Sequence, residues 1–158
     1  MESVDPSEEL RYLILAAQRE GDRALSAALR PYGLTTAQAE AVDVLRKAKR
    51  PLTVKEIGER LICEHGSPSR LMQTLVRKGL VERLAAKDDG RLTLLRLSAK
   101  GRTAARRMTE AKRGIDRAIA PILERHDLDG TLVLLRSMLG DLPAGRALAR
   151  RIADEQNP

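Results

Sequence analysis

Apolar positions recur along the chain with two different periods, and the change between them divides the chain into helices and one short hairpin. Asp5-Pro6-Ser7-Glu8 has the form of a helix start, with an acidic N-cap, Pro at the first helical position and Glu three residues after the cap. Leu10, Leu13, Ile14, Ala17, Ala24, Leu25 and Ala28 then follow at helical spacing. The spacing predicts a long first helix reaching about Arg30, where Pro31 stops it. Thr35 with Gln38 and Thr53 with Glu56 are capping boxes that open two more helices, with Val42 and Leu45 on one apolar face and Ile57 and Leu61 on the other. After the turn ICEHGS, the stretch PSRLMQTLVRKG predicts a fourth helix with Leu71, Met72 and Leu75 inward and Gly79 closing it. Two short helices around a tight turn form a helix-turn-helix. The period then drops to two in LVERLAA and RLTLLRL. The KDDG between them carries an Asp-Gly hairpin signal, which makes the pair a wing. Ser98 caps a fifth helix to about Arg125, with Pro121 as a kink point. Asp127 caps a sixth with Leu132, Leu135 and Leu139, and Pro143 to Ala153 is weakly amphipathic.

Composition narrows the class. The chain has no Phe, no Trp and two Tyr, so its apolar share comes from Leu, Ala, Val and Ile, which suits packed helices better than a β-sandwich. The expected fold is mainly α with a small β-hairpin wing. No apolar run approaches the roughly 20 residues needed to span a bilayer. The acidic start MESVDPSEEL lacks the apolar stretch of a signal peptide, and one cysteine fits a reducing cytosol, so a cytoplasmic location is expected. Charge is unevenly placed. Between Val42 and Arg107 there are 17 Lys and Arg against 7 Asp and Glu, and the remainder is slightly acidic. A basic middle with acidic flanks points to a polyanion-binding module; the alternative is a solvated Arg-rich surface. Scarce aromatics argue against a stacking platform for single strands and favour duplex DNA.

From Leu34 to Gly101 the chain resembles the winged-helix core of the MarR family of bacterial transcription regulators. GLTTAQAEAVDVL is similar to the family's second helix, and SRLMQTLVRKGLVER to its recognition helix and the approach to the wing. Asp89-Gly90-Arg91, then Leu97-Ser98 and Gly101, matches its wing pattern. Gly66 and Pro68 depart from the family's usual helix formers, and they place the start of the recognition helix near Ser67. The resemblance implies a winged helix-turn-helix DNA-binding domain over 34–100 and a helical dimerisation domain formed by 5–30 and 101–154. It also implies a homodimeric repressor of a pseudo-palindromic double-stranded DNA operator, relieved by a small-molecule effector. The competing reading is a winged-helix protein–protein interaction module.

Within that frame, Ser67 and Ser69 are short donors near a helix N-terminus directed at the major groove. Arg70 and Gln73 share one face a turn later. Arg70 either forks onto a guanine or contacts phosphate. Thr53 and Lys55 suit backbone contacts. Arg77 either does so or is a solvated charge at a helix end. On the wing, Arg83, Lys87 and Arg91 are cationic. Asp88 and Asp89 make the turn, and Asp89 is placed to hold Arg91 for a narrow minor groove; the alternative is that both acids serve the turn alone. Leu10, Leu13, Ile14, Leu132, Leu135, Met138, Leu139 and Leu148 are the expected dimer core. Cys63 is expected to be a buried structural thiol and His65 a surface residue. Neither these nor His126 forms a metal set, so no metal or cofactor is expected. No triad or phosphate loop suggests an enzyme.

Overall fold

A computed structural model describes residues 5–63, 66–86 and 91–156. Helix α1 (Pro6–Leu29) is followed by a single 3₁₀ turn (Arg30–Tyr32), then α2 (Thr36–Ala48), α3 (Val54–Gly58) and α4 (Pro68–Arg77). Strands β1 (Val81–Ala85) and β2 (Thr93–Leu97) lead to α5 (Ala99–Leu123), α6 (Leu128–Leu139) and α7 (Pro143–Gln156). The caps are the local ones read from the sequence. Asp5 accepts from the Ser7 amide at 3.0 Å, Ser98 from Gly101 at 3.0 Å and Asp127 from Gly130 at 2.9 Å. Both capping boxes, Thr35 with Gln38 and Thr53 with Glu56, are closed. Pro121 lies inside α5, which ends two residues later.

The hairpin is antiparallel, with Val81 opposite Leu97 and Ala85 opposite Thr93. Leu52 adds one more rung by exchanging two backbone hydrogen bonds with Leu95, at 2.9 and 2.7 Å. Two-stranded hairpins are marginal alone, and this rung ties the wing to the loop before α3. Helix α2 is the hub. It is buried from Ala37 to Leu45 apart from the half-buried Gln38, and it packs against α1, α4, α5 and α7. Leu29, Leu52, Ile57, Leu75, Leu95 and Met108 close the core around it.

The terminal helices are different. Residues 11–20 of α1 are all exposed, and α6 buries none of its residues. Helix α7 packs against α2, and its Ala147 is buried. Among the described residues, no helix is long and apolar enough to cross a membrane.

Candidate nucleic-acid interface

Helix α4 is strongly two-sided. Met72 and Leu75 are buried against the core and Leu71 is half-buried, and this fixes which side faces out. The outward side presents Ser67, Ser69, Arg70, Gln73 and Arg77, all exposed. Ser67 is the N-cap residue but makes no side-chain cap bond, and Pro68 has no N–H to satisfy. The helix therefore starts where the sequence placed it. Arg77 donates to the Thr74 hydroxyl at 3.1 Å, while Lys78 is drawn away to the Gly33 carbonyl at 2.6 Å.

The wing strand and the recognition helix converge. Ser69 and Gln73 of α4 line one cleft of about 200 Å³ with Arg83 of β1 and Thr93 of β2. Lys55 is exposed at the start of α3. Thr53 is half-buried and its hydroxyl is already committed to the capping box. It accepts from the Glu56 amide at 3.2 Å and lies 3.1 Å from the Glu56 carboxylate, to which it donates. Partial burial raises the pKa of Glu56, but the Arg50 guanidinium at 2.8 Å and the Thr53 amide outweigh it and hold the carboxyl below its ordinary value. Arg91 is exposed at the far end of the wing. Lys87, Asp88 and Asp89, and with them the proposed pairing of Asp89 with Arg91, lie outside the described residues, as does His65.

Cys63 corrects the sequence reading. It is exposed, not buried in the core. Its amide and that of Ile62 are pulled onto the Glu40 carboxylate of α2, at 3.2 and 2.8 Å, and both side chains face out. The thiol is nonetheless expected to react slowly at neutral pH. Local desolvation, then the Glu40 charge and hydrogen bond, push its pKa up to about 11. Thiolate at pH 7 is thus expected to be under about one part in a thousand, against a few per cent for a free cysteine of pKa about 8.5. Iodoacetamide alkylation should be slow at neutral pH and accelerate until about pH 11; a rate levelling off near pH 9 would contradict this account. His126 is exposed, with Nδ1 2.8 Å from the Ile122 carbonyl, and no metal-binding group of side chains occurs among the described residues.

A set of residues behind the interface was not anticipated. Among the described residues, Glu40, Asp43 and Arg60 are the buried charged ones. Arg151 of α7 bridges Glu40 at 3.0 Å and Asp43 at 3.3 Å. Asp154 of α7 grips Arg60 at 2.6 and 3.3 Å, and Arg60 also donates to the Glu56 carbonyl at 2.9 Å. Burial raises the pKa of Asp43, but Lys112, Arg46 and Lys47 overcome it and keep the carboxyl below its ordinary value.

Residues 34–101 match a family model described as a winged helix DNA-binding domain. The chain also superimposes on a MarR mutant from E. coli complexed with operator DNA, with a TM-score of 0.68, 26% identity, and 89% of this chain and 100% of that chain covered. The chain carries a winged helix DNA-binding domain, and most of its length is similar to MarR. The S. aureus MepR–DNA complex shares the fold, with a TM-score of 0.74, 21% identity and coverage of 84% and 97%. So does a MarR-like protein from Bacillus cereus, with a TM-score of 0.67, 19% identity and coverage of 84% and 93%. No curated protein matches the chain by sequence. The winged helix domain accounts for α2 through β2, and the likeness to MarR extends over the flanking helices as well.

Proposed function

We propose that the protein is a homodimeric, sequence-specific regulator of transcription that binds a pseudo-palindromic duplex and acts as a repressor relieved by a small molecule. The observation that carries DNA reading is the outward row of α4. Five polar or basic side chains stand free of the core on one helix side, with Arg83 of the wing beside them. Ser67, Ser69, Arg70 and Gln73 face base edges in the major groove, while Lys55, Arg77 and Arg83 neutralise phosphate. Arg91 reaches the minor groove. The α3 N-terminus contributes through its position, since the Thr53 hydroxyl is occupied by its own cap.

Pairing is supported by apolar surface that the single chain leaves uncovered. Leu13, Ile14, Leu132 and Met138 are exposed, and Leu10 and Leu135 are half-covered. Leu139 and Leu148 lie together in the corner between α6 and α7 of one chain, so they support the pairing surface from behind. We assign pairing to α1, α6 and the end of α5. The repressor role and the effector are what the resemblance of residues 34–101 to the MarR family implies.

The test is titration of the purified protein against the duplex upstream of its own gene and a scrambled duplex of equal length, at several salt concentrations. Selective binding with a steep salt dependence is expected, because released counterions drive the phosphate contacts. Equal, weak affinity for both duplexes would refute the reading. Arg70→Ala should weaken selective binding by about 1–3 kcal/mol, roughly five- to 150-fold, and relax specificity at one base pair. A loss uniform across sequences, with a smaller salt slope, would reassign Arg70 to phosphate.

A further inference from the structure

The chain must turn from α3 into the recognition helix through Ile62 and Cys63. Among the described residues of this turn, the amides of these two are hydrogen-bonded to one carboxylate, that of Glu40. Glu40 is buried on α2, and its countercharge is Arg151 on α7, far away in sequence. The same helix holds the end of α3 through Asp154 and Arg60. Thus α7 is tied to the end of α3 directly and to the turn before α4 through Glu40.

We propose that α7 is an intramolecular clamp that positions the recognition helix, with Arg151 and Glu40 as positioning residues for DNA reading. A carboxylate without its guanidinium would turn toward water and release the two amides. The direction in which α4 leaves the turn would then be set loosely. Buried ion pairs add little net stability compared with an apolar pair of the same shape, but they demand one geometry. Base readout needs that geometry, whereas phosphate neutralisation tolerates its loss. Only Gly140, Asp141 and Leu142 separate α7 from α6, so the clamp also joins the exposed apolar helix to the reading head.

The DNA arm of the test rests on the function proposed above; the exchange arm does not. Amide hydrogen exchange is measured on the full-length wild type, on Arg151→Gln and on the conservative Arg151→Lys, and each is titrated with the upstream and scrambled duplexes. In Arg151→Gln the Ile62 and Cys63 amides should exchange faster while those of Val42 and Val44 in the core of α2 hold. Affinity for the upstream duplex should fall by about tenfold, within the usual range of coupling between sites, with the scrambled duplex unaffected. Arg151→Lys should recover part of both effects. Linkage is reciprocal, so the upstream duplex should slow exchange of wild-type α7, which touches no DNA in this arrangement. Unchanged exchange at Ile62 and Cys63 overturns the clamp. So does faster exchange with undiminished selectivity, or a loss shared by both duplexes and by the α2 amides, which would mark general destabilisation. If the wild type selects neither duplex, the function proposed above fails, and the exchange result alone decides whether α7 holds the turn.

Discussion

A Leu132→Asp variant is expected to run as a monomer in light scattering and to bind the upstream duplex some hundred- to ten-thousandfold more weakly, the range in which linking two modules raises avidity. Helix α6 carries seven large apolar residues between Leu128 and Leu139, yet none is buried by its own chain. Val133 is 61% exposed and Met138 48%. A helix of this length gains most of its stability from packing an apolar face, and here the main packing within the chain is the contact with α7. The first half of α1 has the same deficit, with Tyr12, Leu13 and Leu15 all more than half exposed. A second copy supplies the cover that both need. An aspartate at Leu132 would be desolvated in such a seam without a partner, which is costly in a way that no repacking relieves. The substitution leaves α4 and the wing untouched, so each monomer should retain weak, unselective contact with duplex. Wild-type melting should rise with protomer concentration, and that of the variant should not. A dimer that survives the charge at wild-type concentrations would move the seam away from α6.

What could be read from the sequence follows how far apart the interacting residues lie. The caps at Asp5, Thr35, Thr53, Ser98 and Asp127 were legible because each is a bond across two or three residues. The outward face of α4 was legible too. Met72 and Leu75 mark the inner side, and the helical period then places Ser69, Arg70 and Gln73 opposite. The likeness to the MarR family supplied the order of parts and the wing. The rung from Leu52 to Leu95 was not legible, since a single paired residue leaves no alternating pattern. Nor was the clamp. Glu40 and Arg151 are ordinary charged residues on amphipathic helices, and only the packing of α7 on α2 brings them together. Cys63 was misplaced for the same reason. Its apolar character suggested burial, but Glu40 takes the backbone of the turn inward and leaves the side chains of Ile62 and Cys63 outside.

Two glycines of α5 should respond in opposite directions to the same substitution. Gly101→Ala is expected to destabilise the fold by about 2–3 kcal/mol, the upper part of the range for overpacking, even after the helix-propensity gain. A methyl group there would stand 1.9 Å from the Leu80 carbonyl oxygen and 2.9 Å from its carbon. Those atoms cannot move aside as a side chain would. The Leu80 carbonyl accepts the Ser98 amide at 3.0 Å, and the Leu80 amide is bonded to the Leu75 carbonyl at 3.0 Å. Gly101 itself is held by the Ser98 hydroxyl. The first turn of α5, the start of β1 and the end of α4 therefore meet at a point with no room for a Cβ, and relief would require shifting the recognition helix relative to the wing. At Gly114 the same methyl group would meet nothing within 4 Å. Gly114→Ala should accordingly stabilise by up to about 1 kcal/mol, the difference in helix propensity. Urea midpoints at one protomer concentration check both, with Gly101→Ala moving down and Gly114→Ala up; shifts of the same sign would show that contact with Leu80 does not dictate glycine at position 101.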